Sequence, residues 1–285
     1  MIRIFHLTDL PKEIVRVLLP KKLTKFLINE TSKIAGNRKS LTPLIRKRLG
    51  KTVQPEMIRD YFNRNYFVPL WFLFEIVNLL KENKINIDLG EIEKKVQAFR
   101  GPRGDAIYYP NFPWKEDERI IRILFHLMGD GHGGGDVCKG RVPVYSNTSR
   151  TLINEFKRDL RFFGKVKIRE YKRRRKGKNL LIDLEFPKVI GHVLKHLYNI
   201  EIIFPKTRIP KIMFQLDRNL IAHGIRAFID DEGSVKSTEI HVYSANKPLL
   251  EGLKKLIKIK FPEFTAITDV RLSTDKGSKS YYFAF

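Results

Sequence analysis

The chain has 285 residues, of which 42% are hydrophobic, so it is long enough for two or three small domains and too apolar to be disordered. Its 55 Lys and Arg against 31 Asp and Glu give a formal charge of +24, which makes nucleic acid the expected partner and a membrane surface the weaker alternative. No apolar run approaches the roughly 20 residues of a spanning helix, no signal peptide opens the chain, and a single cysteine is consistent with the cytoplasm. The abundance of Lys, Arg and Glu fits a protein from a hot environment.

Residues 1–112 are predicted to form a mostly helical domain. Apolar residues recur at helical spacing, and Pro or Gly residues separate the helices expected over 23–35, 41–49, 55–63 and 70–81. The two short helices joined near Gly50 resemble a helix-turn-helix, in which Arg59 and Arg64 on the second helix would contact DNA. The alternative is a helical bundle that only covers the rest of the chain.

From about residue 113 the order helix, strand, strand, helix, strand, strand occurs twice. Both copies carry Tyr-Ser and then Asn just before their second helix, at 145–147 and 243–246. A last helix is expected over 189–198 in the first copy, whereas the second copy ends in a strand. A repeat of about 100 residues indicates a duplicated domain and not a solenoid. The predicted class is α+β, with domains over 1–112, 113–212 and 213–285.

Two nine-residue stretches, 123–131 and 225–233, each run from an apolar helix into acidic residues and a glycine. On a helical wheel, Glu232 shares the apolar stripe of the second stretch. It also stands at the helix C-terminus, where burial and the helix dipole both disfavour a negative charge. Asp130 holds the matching place in the first stretch.

Other charged residues of these stretches have structural explanations. Arg226 and Asp230 lie four residues apart and can pair with each other. His126 lies four residues before Asp130 and can contact it, so Asp130 is the weaker candidate. If the two helices pack side by side, Asp130 and Glu232 meet at their ends, and neighbouring carboxylates attract a hard cation such as Mg²⁺.

The two stretches, set in a duplicated α/β pattern, resemble the LAGLIDADG (dodecapeptide) homing endonucleases in their single-chain, two-motif form. The similarity covers residues 115–285. It implies that the motif helices form the interface between two halves and that Asp130 and Glu232 bind Mg²⁺ or Mn²⁺. It also implies a monomer with internal pseudo-two-fold symmetry, built as two αββαββ(α) domains whose curved sheets straddle the major groove of double-stranded DNA.

Cationic residues are expected to neutralise DNA phosphates beside these sheets, with a solvated basic hairpin as the alternative. The residues in question lie in two predicted loops: Lys172, Arg173, Arg174, Arg175, Lys176 and Lys178 in the first, and Lys276 and Lys279 in the second. The resemblance also implies a basic catalytic residue near each active site. Lys206 and Lys279 are the candidates for that role.

Three features depart from the family pattern. Leu124 and Phe125 are bulky where the family has small residues, which is expected to hold the helices apart and weaken metal sharing. The sixth motif position is Met128 in the first copy. The second copy lacks the last helix of the first.

The sequence therefore predicts a site-specific double-stranded DNA-binding protein that hydrolyses phosphodiester bonds with a divalent metal held by Asp130 and Glu232. The alternative is a catalytically weak or inactive relative that binds DNA or RNA, as a transcription regulator or a maturase-like protein. A basic structural RNA-associated protein would explain the charge but not the repeated motif.

Overall fold

The computed structural model describes residues 2–50, 53–64, 66–132, 142–174, 180–201, 206–236, 238–273 and 280–285. The chain divides into two compact units. The N-terminal unit is Phe5–Trp114, and the duplicated unit is Lys115–Phe285 with the first residues up to Ile4. Helices and antiparallel strands occur in both units, which confirms the predicted α+β class. The domain boundaries after residues 112 and 212 stay predictions.

The N-terminal unit combines helices with a small sheet. Its helices, in the described residues, are α1 (Lys21–Ile34), α2 (Arg38–Leu49), α3 (Pro55–Arg64), α4 (Leu70–Glu82) and α5 (Leu89–Lys94). Its strands are β2 (Arg16–Leu18), β3 (Val68–Pro69), β4 (Ala98–Arg100) and β5 (Ile107–Tyr108), and they pair antiparallel in the order β3-β2-β4-β5. The short strands β1 (Ile4–Phe5) and β6 (Trp114–Lys115) stand at the unit boundaries in the sequence.

Helix α1 is the element on which α2, α3 and α4 pack. The residues it buries recur every three or four positions: Thr24, Leu27, Ile28, Thr31 and Ser32. Helix α2 begins after Asn37, whose side chain accepts a hydrogen bond from the backbone N–H of Ser40 at 2.9 Å. It ends before Gly50, whose φ of 61° lies in the left-handed region that glycine adopts without strain. The helix-turn-helix interpretation of α2 and α3 stays a prediction.

The sheet of the N-terminal unit is absent from the predicted mostly helical domain. Its strands are two or three residues long, too short to display the alternation that identifies a strand in a sequence. Their partners are also far apart in the chain, as with Val17 in β2 and Phe99 in β4. Both residues are fully buried, so this sheet is part of the core of the unit.

The duplicated unit contains two repeats of similar order. The first repeat comprises α6 (Glu118–Gly129), β7 (Gly131–His132), β8 (Val144–Asn147), α7 (Arg150–Asp159), β9 (Arg169–Arg174), β10 (Leu180–Glu185) and α8 (Lys188–Tyr198). The second repeat comprises α9 (Arg218–Glu232), β11 (Gly233–Lys236), β12 (Glu239–Ser244), α10 (Lys247–Lys260), β13 (Arg271–Ser273) and β14 (Ser280–Ala284).

The two sheets of this unit have the same strand order. The first is β7-β8-β10-β9 and the second is β11-β12-β14-β13, with every neighbouring pair antiparallel. Helix α7 packs against β8 and β10, and α10 packs against β12 and β14. Side chains alternate across each strand, so Val242 and Phe283 are fully buried while Tyr243 and Tyr282 are half-exposed.

Helices α6 and α9 pack against each other more extensively than any other two helices in the described part of the chain. Phe125, which is fully buried, lies over Gly224, where a Cβ atom would be only 2.4 Å from its ring. The bulk of Phe125 therefore fits into a space that a glycine leaves on the partner helix. This corrects the expectation that Phe125 holds the helices apart, because the matching small residue lies just before the second motif.

Replacing Gly224 with Ala tests this contact. The added methyl group would overlap the ring of Phe125, so we expect Gly224→Ala to lower the free energy of unfolding by about 1–3 kcal/mol. His223 is exposed on the same turn, and His223→Ala is expected to change it by about 0.5 kcal/mol or less. Denaturant titrations of both variants measure the difference. Equal stability of the two would show that the helices are not in close contact at Gly224.

Candidate active site at the ends of helices α6 and α9

The two acids singled out by the motifs lie at the ends of the paired helices. Asp130 caps the C-terminus of α6 and its backbone N–H donates to the carbonyl of His126 at 3.0 Å. Glu232 is the last residue of α9. The side chain of Glu232 packs against Gly129, the residue just before Asp130. A Cβ atom at Gly129 would lie 3.3 Å from Cγ of Glu232.

Both acids are largely buried, and other carboxylates lie close to each of them. Burial raises the pKa of Asp130 to about 7, and the charge of Asp231 adds to the rise. Burial also raises the pKa of Glu232 to about 8, with Asp130 and then Asp231 as further causes. Burial is the largest cause for both groups, and repulsion by neighbouring carboxylates adds to it. The structure thus brings Asp130 and Glu232 together.

A third carboxylate, Asp231, lies between the helices and was not among the residues predicted from the sequence. Its side chain is fully buried. Oδ1 of Asp231 accepts from the hydroxyl of Tyr145 at 2.7 Å and from Nδ2 of Asn147 at 3.1 Å. Oδ2 lies 2.8 Å from Nδ1 of His126, a hydrogen bond in which either partner can carry the proton. Burial raises the pKa of Asp231, and its hydrogen bonds oppose that rise.

The sequence contained a signal for Asp231. Gly224 and Ala227 lie seven and four residues before it, so the three share the stripe of α9 where small residues allow close helix contact. The larger apolar residues form a neighbouring stripe of α9, and that stripe ends at Glu232 and not at Asp231. The sequence also predicted that His126 contacts Asp130, whereas His126 hydrogen-bonds Asp231 on the other helix.

The predicted pair of Arg226 and Asp230 is confirmed, with Nε and Oδ2 separated by 3.5 Å on the exposed side of α9. Asp230 is therefore a surface residue with a cationic partner. It differs from Asp231 and Glu232, its two successors in the chain, in lying outside the contact between helices.

Asn147 connects Asp231 to Asp130. Its Nδ2 donates to Oδ2 of Asp130 at 2.8 Å, in addition to its hydrogen bond with Asp231. Its Oδ1 accepts from the backbone N–H of Ser149 at 2.8 Å. The equivalent Asn246 of the second repeat donates instead to the carbonyl of Thr207 at 2.8 Å. Glu232 receives no hydrogen bond within the described residues, so the two candidate acids have different surroundings.

The cationic candidates are distributed away from these acids. Lys206 is exposed and forms no ion pair with Asp130 or Glu232 among the residues that the structure describes. Arg59 is exposed on α3, and its Nε lies 3.9 Å from Oδ1 of Asp60. Arg64 is the last residue of that helix. Several predicted residues lie outside the described ranges: Arg175, Lys176, Lys178, Lys276 and Lys279.

Three of the predicted DNA-contacting residues belong to a strand and not to a loop. Lys172, Arg173 and Arg174 are exposed on β9, which continues to Arg174 because its backbone pairs with β10. The guanidinium of Arg173 donates to Oδ1 of Asp183 at 2.8 Å. Lys172 and Arg174 have no ion pair among the described residues, so they are the available cations of this strand.

The residues present fit a divalent cation of the Mg²⁺ type. No group of three or more His, Cys, Asp and Glu side chains within the described ranges is arranged to hold a metal ion. Magnesium is commonly held by one or two carboxylates, with water and substrate phosphate completing its six ligands. Asp130 and Glu232 supply such a pair, and a positive charge between them would offset the repulsion that Asp130 exerts on Glu232.

No protein-family model matches the chain. One relative is a probable translation initiation factor IF-2 from Methanocaldococcus jannaschii, 25% identical over 215 residues that make up 70% of this chain and 16% of that protein. Another is a DNA polymerase II large subunit from Thermococcus kodakarensis, 25% identical over 217 residues, with 74% of this chain and 11% of that protein covered. The chain spans less than a fifth of the length of either relative.

Solved structures similar to the chain include the homing endonuclease I-DmoI in complex with DNA and Mn, with a TM-score of 0.40, 13% identity, and 59% of this chain and 88% of that one covered. The homing endonuclease I-WcaI bound to its DNA recognition sequence matches with a TM-score of 0.38 and 15% identity, over 58% of this chain and 74% of that one. Full-length DUF199/WhiA from Thermatoga maritima matches with a TM-score of 0.40 and 16% identity, over 58% of this chain and 50% of that one. The solved structures similar to this chain thus include homing endonucleases, the class of protein that its two motifs resemble.

Among the described residues, no helix has the length and apolar character needed to cross a membrane.

The raised pKa values of Asp130 and Glu232 predict that stability depends on pH. Each carboxyl binds its proton more tightly in the folded than in the unfolded chain, so the free energy of unfolding falls as pH rises from about 4 to about 8. In EDTA we expect a melting temperature several degrees lower at about pH 8.5 than at about pH 5.5. The double variant Asp130→Asn with Glu232→Gln is expected to reduce this difference.

Thermal melts of the wild type, the double variant and Asp230→Asn check the assignment. Asp230 is the exposed neighbour, so its variant should keep the wild-type dependence on pH. If the double variant and the wild type lose the same stability between the two pH values, the acids are not buried together.

Proposed function

We propose that this chain binds double-stranded DNA and hydrolyses phosphodiester bonds with a divalent metal ion held by Asp130 and Glu232. The observation that supports this proposal is the meeting of the two acids at the ends of α6 and α9, where burial and repulsion raise both pKa values. The two halves of the duplicated unit would be LAGLIDADG-like domains, each contributing one motif helix.

The residues of the site would divide the chemistry between them. When bound, Mg²⁺ or Mn²⁺ would neutralise charge on the phosphodiester group and polarise it. Asp130 and Glu232 provide the oxygen ligands, and Asn147 fixes one oxygen of Asp130 by its hydrogen bond of 2.8 Å. The packed helices keep both acids at a rigid position, which holds a scissile group in a constant orientation.

DNA binding in this proposal depends on cations in both units. Residues 21–64, which form α1 to α3, contain twelve Lys and Arg against three Asp and Glu. In the duplicated unit, Lys172 and Arg174 project from β9 without ion-pair partners among the described residues. Lys172 and Arg174 can therefore contact phosphates without first breaking an ion pair within the described residues. Several cations of α1 to α3 already pair with acids, as Lys33 does with Glu30 and Arg59 with Asp60, so a phosphate would have to replace those acids.

The two relatives support a function that belongs to the matched segment. A translation factor and a DNA polymerase share similarity with this chain over about the same length, although they carry different activities. A segment similar in both is expected to have a function distinct from either. Nuclease activity on DNA is such a function.

The second candidate is a DNA- or RNA-binding protein without cleavage activity, such as a transcription regulator or a maturase-like protein. It is favoured by the hydrogen bonds that the protein itself provides to Asp130 and Asp231, since these bonds can stabilise buried acids without a metal. It is also favoured by the lack of an ion pair between Lys206 and either acid within the described residues. Binding that is independent of Glu232 would distinguish this protein from a nuclease.

Cleavage of DNA in the presence of Mg²⁺ is the direct test. A randomised double-stranded library is incubated with the wild type, and cut molecules are recovered and sequenced to define a site. We expect Asp130→Asn and Glu232→Gln each to reduce the rate on that site at least about 100-fold, because each removes a metal ligand. Asp230→Asn removes an equal charge from the adjacent exposed position and should cleave like the wild type.

Undiminished cleavage by Glu232→Gln would contradict the assigned chemistry. A wild type that binds DNA tightly but cuts no member of the library would favour the binding protein.

The salt dependence of DNA binding tests which cations contact phosphate. The logarithm of the binding constant falls with that of the salt concentration by about 0.9 per neutralised phosphate. We expect the double variants Lys172→Ala with Arg174→Ala and Lys39→Ala with Arg59→Ala each to reduce the slope by about 2. Arg218→Ala is the control. Arg218 is the first residue of α9 and pairs with Glu263, so its loss is expected to leave the slope unchanged.

Fluorescence anisotropy over a range of salt concentrations supplies the slopes. If the pair on α2 and α3 leaves the slope at its wild-type value while the pair on β9 lowers it, the N-terminal unit does not contact DNA.

A further inference from the structure

Within the described residues, the carboxylate of Asp231 is bound by side chains of the other repeat. His126 on α6 contacts one oxygen, and Tyr145 and Asn147 on β8 donate to the other. All three belong to the first repeat, whereas Asp231 ends α9 of the second. The side chain is fully buried and both oxygens are engaged, so Asp231 is poorly placed to bind a metal ion itself.

The amide of Asn147 is held in one orientation by its three hydrogen bonds. Its Nδ2 carries two hydrogens, one directed to Asp130 and one to Asp231. Its Oδ1 accepts from the N–H of Ser149. Rotating the amide would place an oxygen against two carboxylates and would leave the N–H of Ser149 without this acceptor. The position of Asn147 therefore depends on Asp231 as well as on Asp130.

Gly129 leaves the space that the side chain of Asp231 occupies. A Cβ atom at Gly129 would lie 3.3 Å from Cβ and Oδ2 of Asp231, so this side chain would have to shift by a few tenths of an ångström. Gly129 and Asp231 occupy the same position of the two motifs, one residue before the candidate metal ligand. One motif therefore supplies the side chain and the other supplies the space for it.

From these contacts we infer that Asp231 is a positioning residue, which acts through Asn147 to hold the carboxylate of Asp130 in its ligand orientation. Asp130 keeps Oδ2 toward Asn147, and among the residues that the structure describes its other oxygen accepts no hydrogen bond and can face a cation. The inference rests on the proposed function for the role of Asp130. It adds that the second repeat supplies the residue that orders the acid of the first.

A double-mutant cycle tests the proposed route through Asn147. Asp231→Asn keeps the shape of the side chain, and Asn147→Ala removes the connecting amide. We expect each single variant to weaken Mn²⁺ binding, measured on the DNA-free protein by electron paramagnetic resonance, by about 10-fold or more. Single-turnover cleavage should fall by a similar factor. The double variant should be no weaker than Asn147→Ala alone, because both substitutions interrupt one route.

Asp230→Asn is the matched control, since it removes the same charge one residue earlier without touching Asn147. It should bind Mn²⁺ within about twofold of the wild type. Multiplicative effects of Asp231→Asn and Asn147→Ala would overturn the inference, because Asp231 would then act on the metal independently. Unchanged Mn²⁺ affinity in Asp231→Asn would overturn it as well.

A second readout keeps the inference separate from the nuclease proposal. In the wild type, the side-chain amide protons of Asn147 should give two NMR signals protected from exchange, assigned by their loss in Asn147→Ala. Asp231→Asn should shift these signals. If that variant does not fold, Tyr145→Phe replaces it in the test, because it removes one donor to Asp231 with little change in volume and should shift the same signals. A wild type that neither binds Mn²⁺ nor cleaves DNA overturns the proposed function. Unshifted Asn147 signals in folded Asp231→Asn or Tyr145→Phe overturn the positioning role.

Discussion

The packing of α6 against α9 is the contact on which the duplicated unit and its candidate site both depend. Gly224 makes room for the ring of Phe125, and Gly129 makes room for Asp231 and Glu232. In each case a large side chain on one helix meets a glycine on the other, so the helices approach closely without small residues at every motif position. Because the helices end together, side chains from both repeats meet at a place that neither repeat forms alone.

This packing has an electrostatic consequence. Asp130, Asp231 and Glu232 are gathered where water is partly excluded, and burial raises the pKa of each. Clustered acids of this kind are stabilised by hydrogen-bond donors, by protonation or by a cation. Asp231 has the donors, whereas Glu232 has none within the described residues. The same cluster therefore contains an acid that supports the architecture and an acid that is available to a ligand.

The sequence was informative where its pattern is local. The acids of the two motifs, the pairing of Arg226 with Asp230 and the repeated order of elements follow from helical spacing and alternation, which act over a few residues. Asp231 was missed because its role depends on His126, Tyr145 and Asn147, which are brought to it by tertiary packing. The sheet of the N-terminal unit was missed because its strands are too short to show a period and pair over long distances.

The two repeats share a strand order but differ at the site. The side chain of Asn147 donates a hydrogen bond to Asp130. The side chain of the matching Asn246 donates instead to the carbonyl of Thr207 and accepts from the backbone N–H of Leu249 at the N-terminus of α10. In the described part of the chain, Asp130 is thus restrained by an amide and Glu232 is not. Protein symmetry and DNA symmetry correspond when two identical subunits bind two identical half-sites. A single chain with unequal halves has no such requirement, so under the proposed function the difference between Asp130 and Glu232 favours a DNA site whose two halves also differ in sequence.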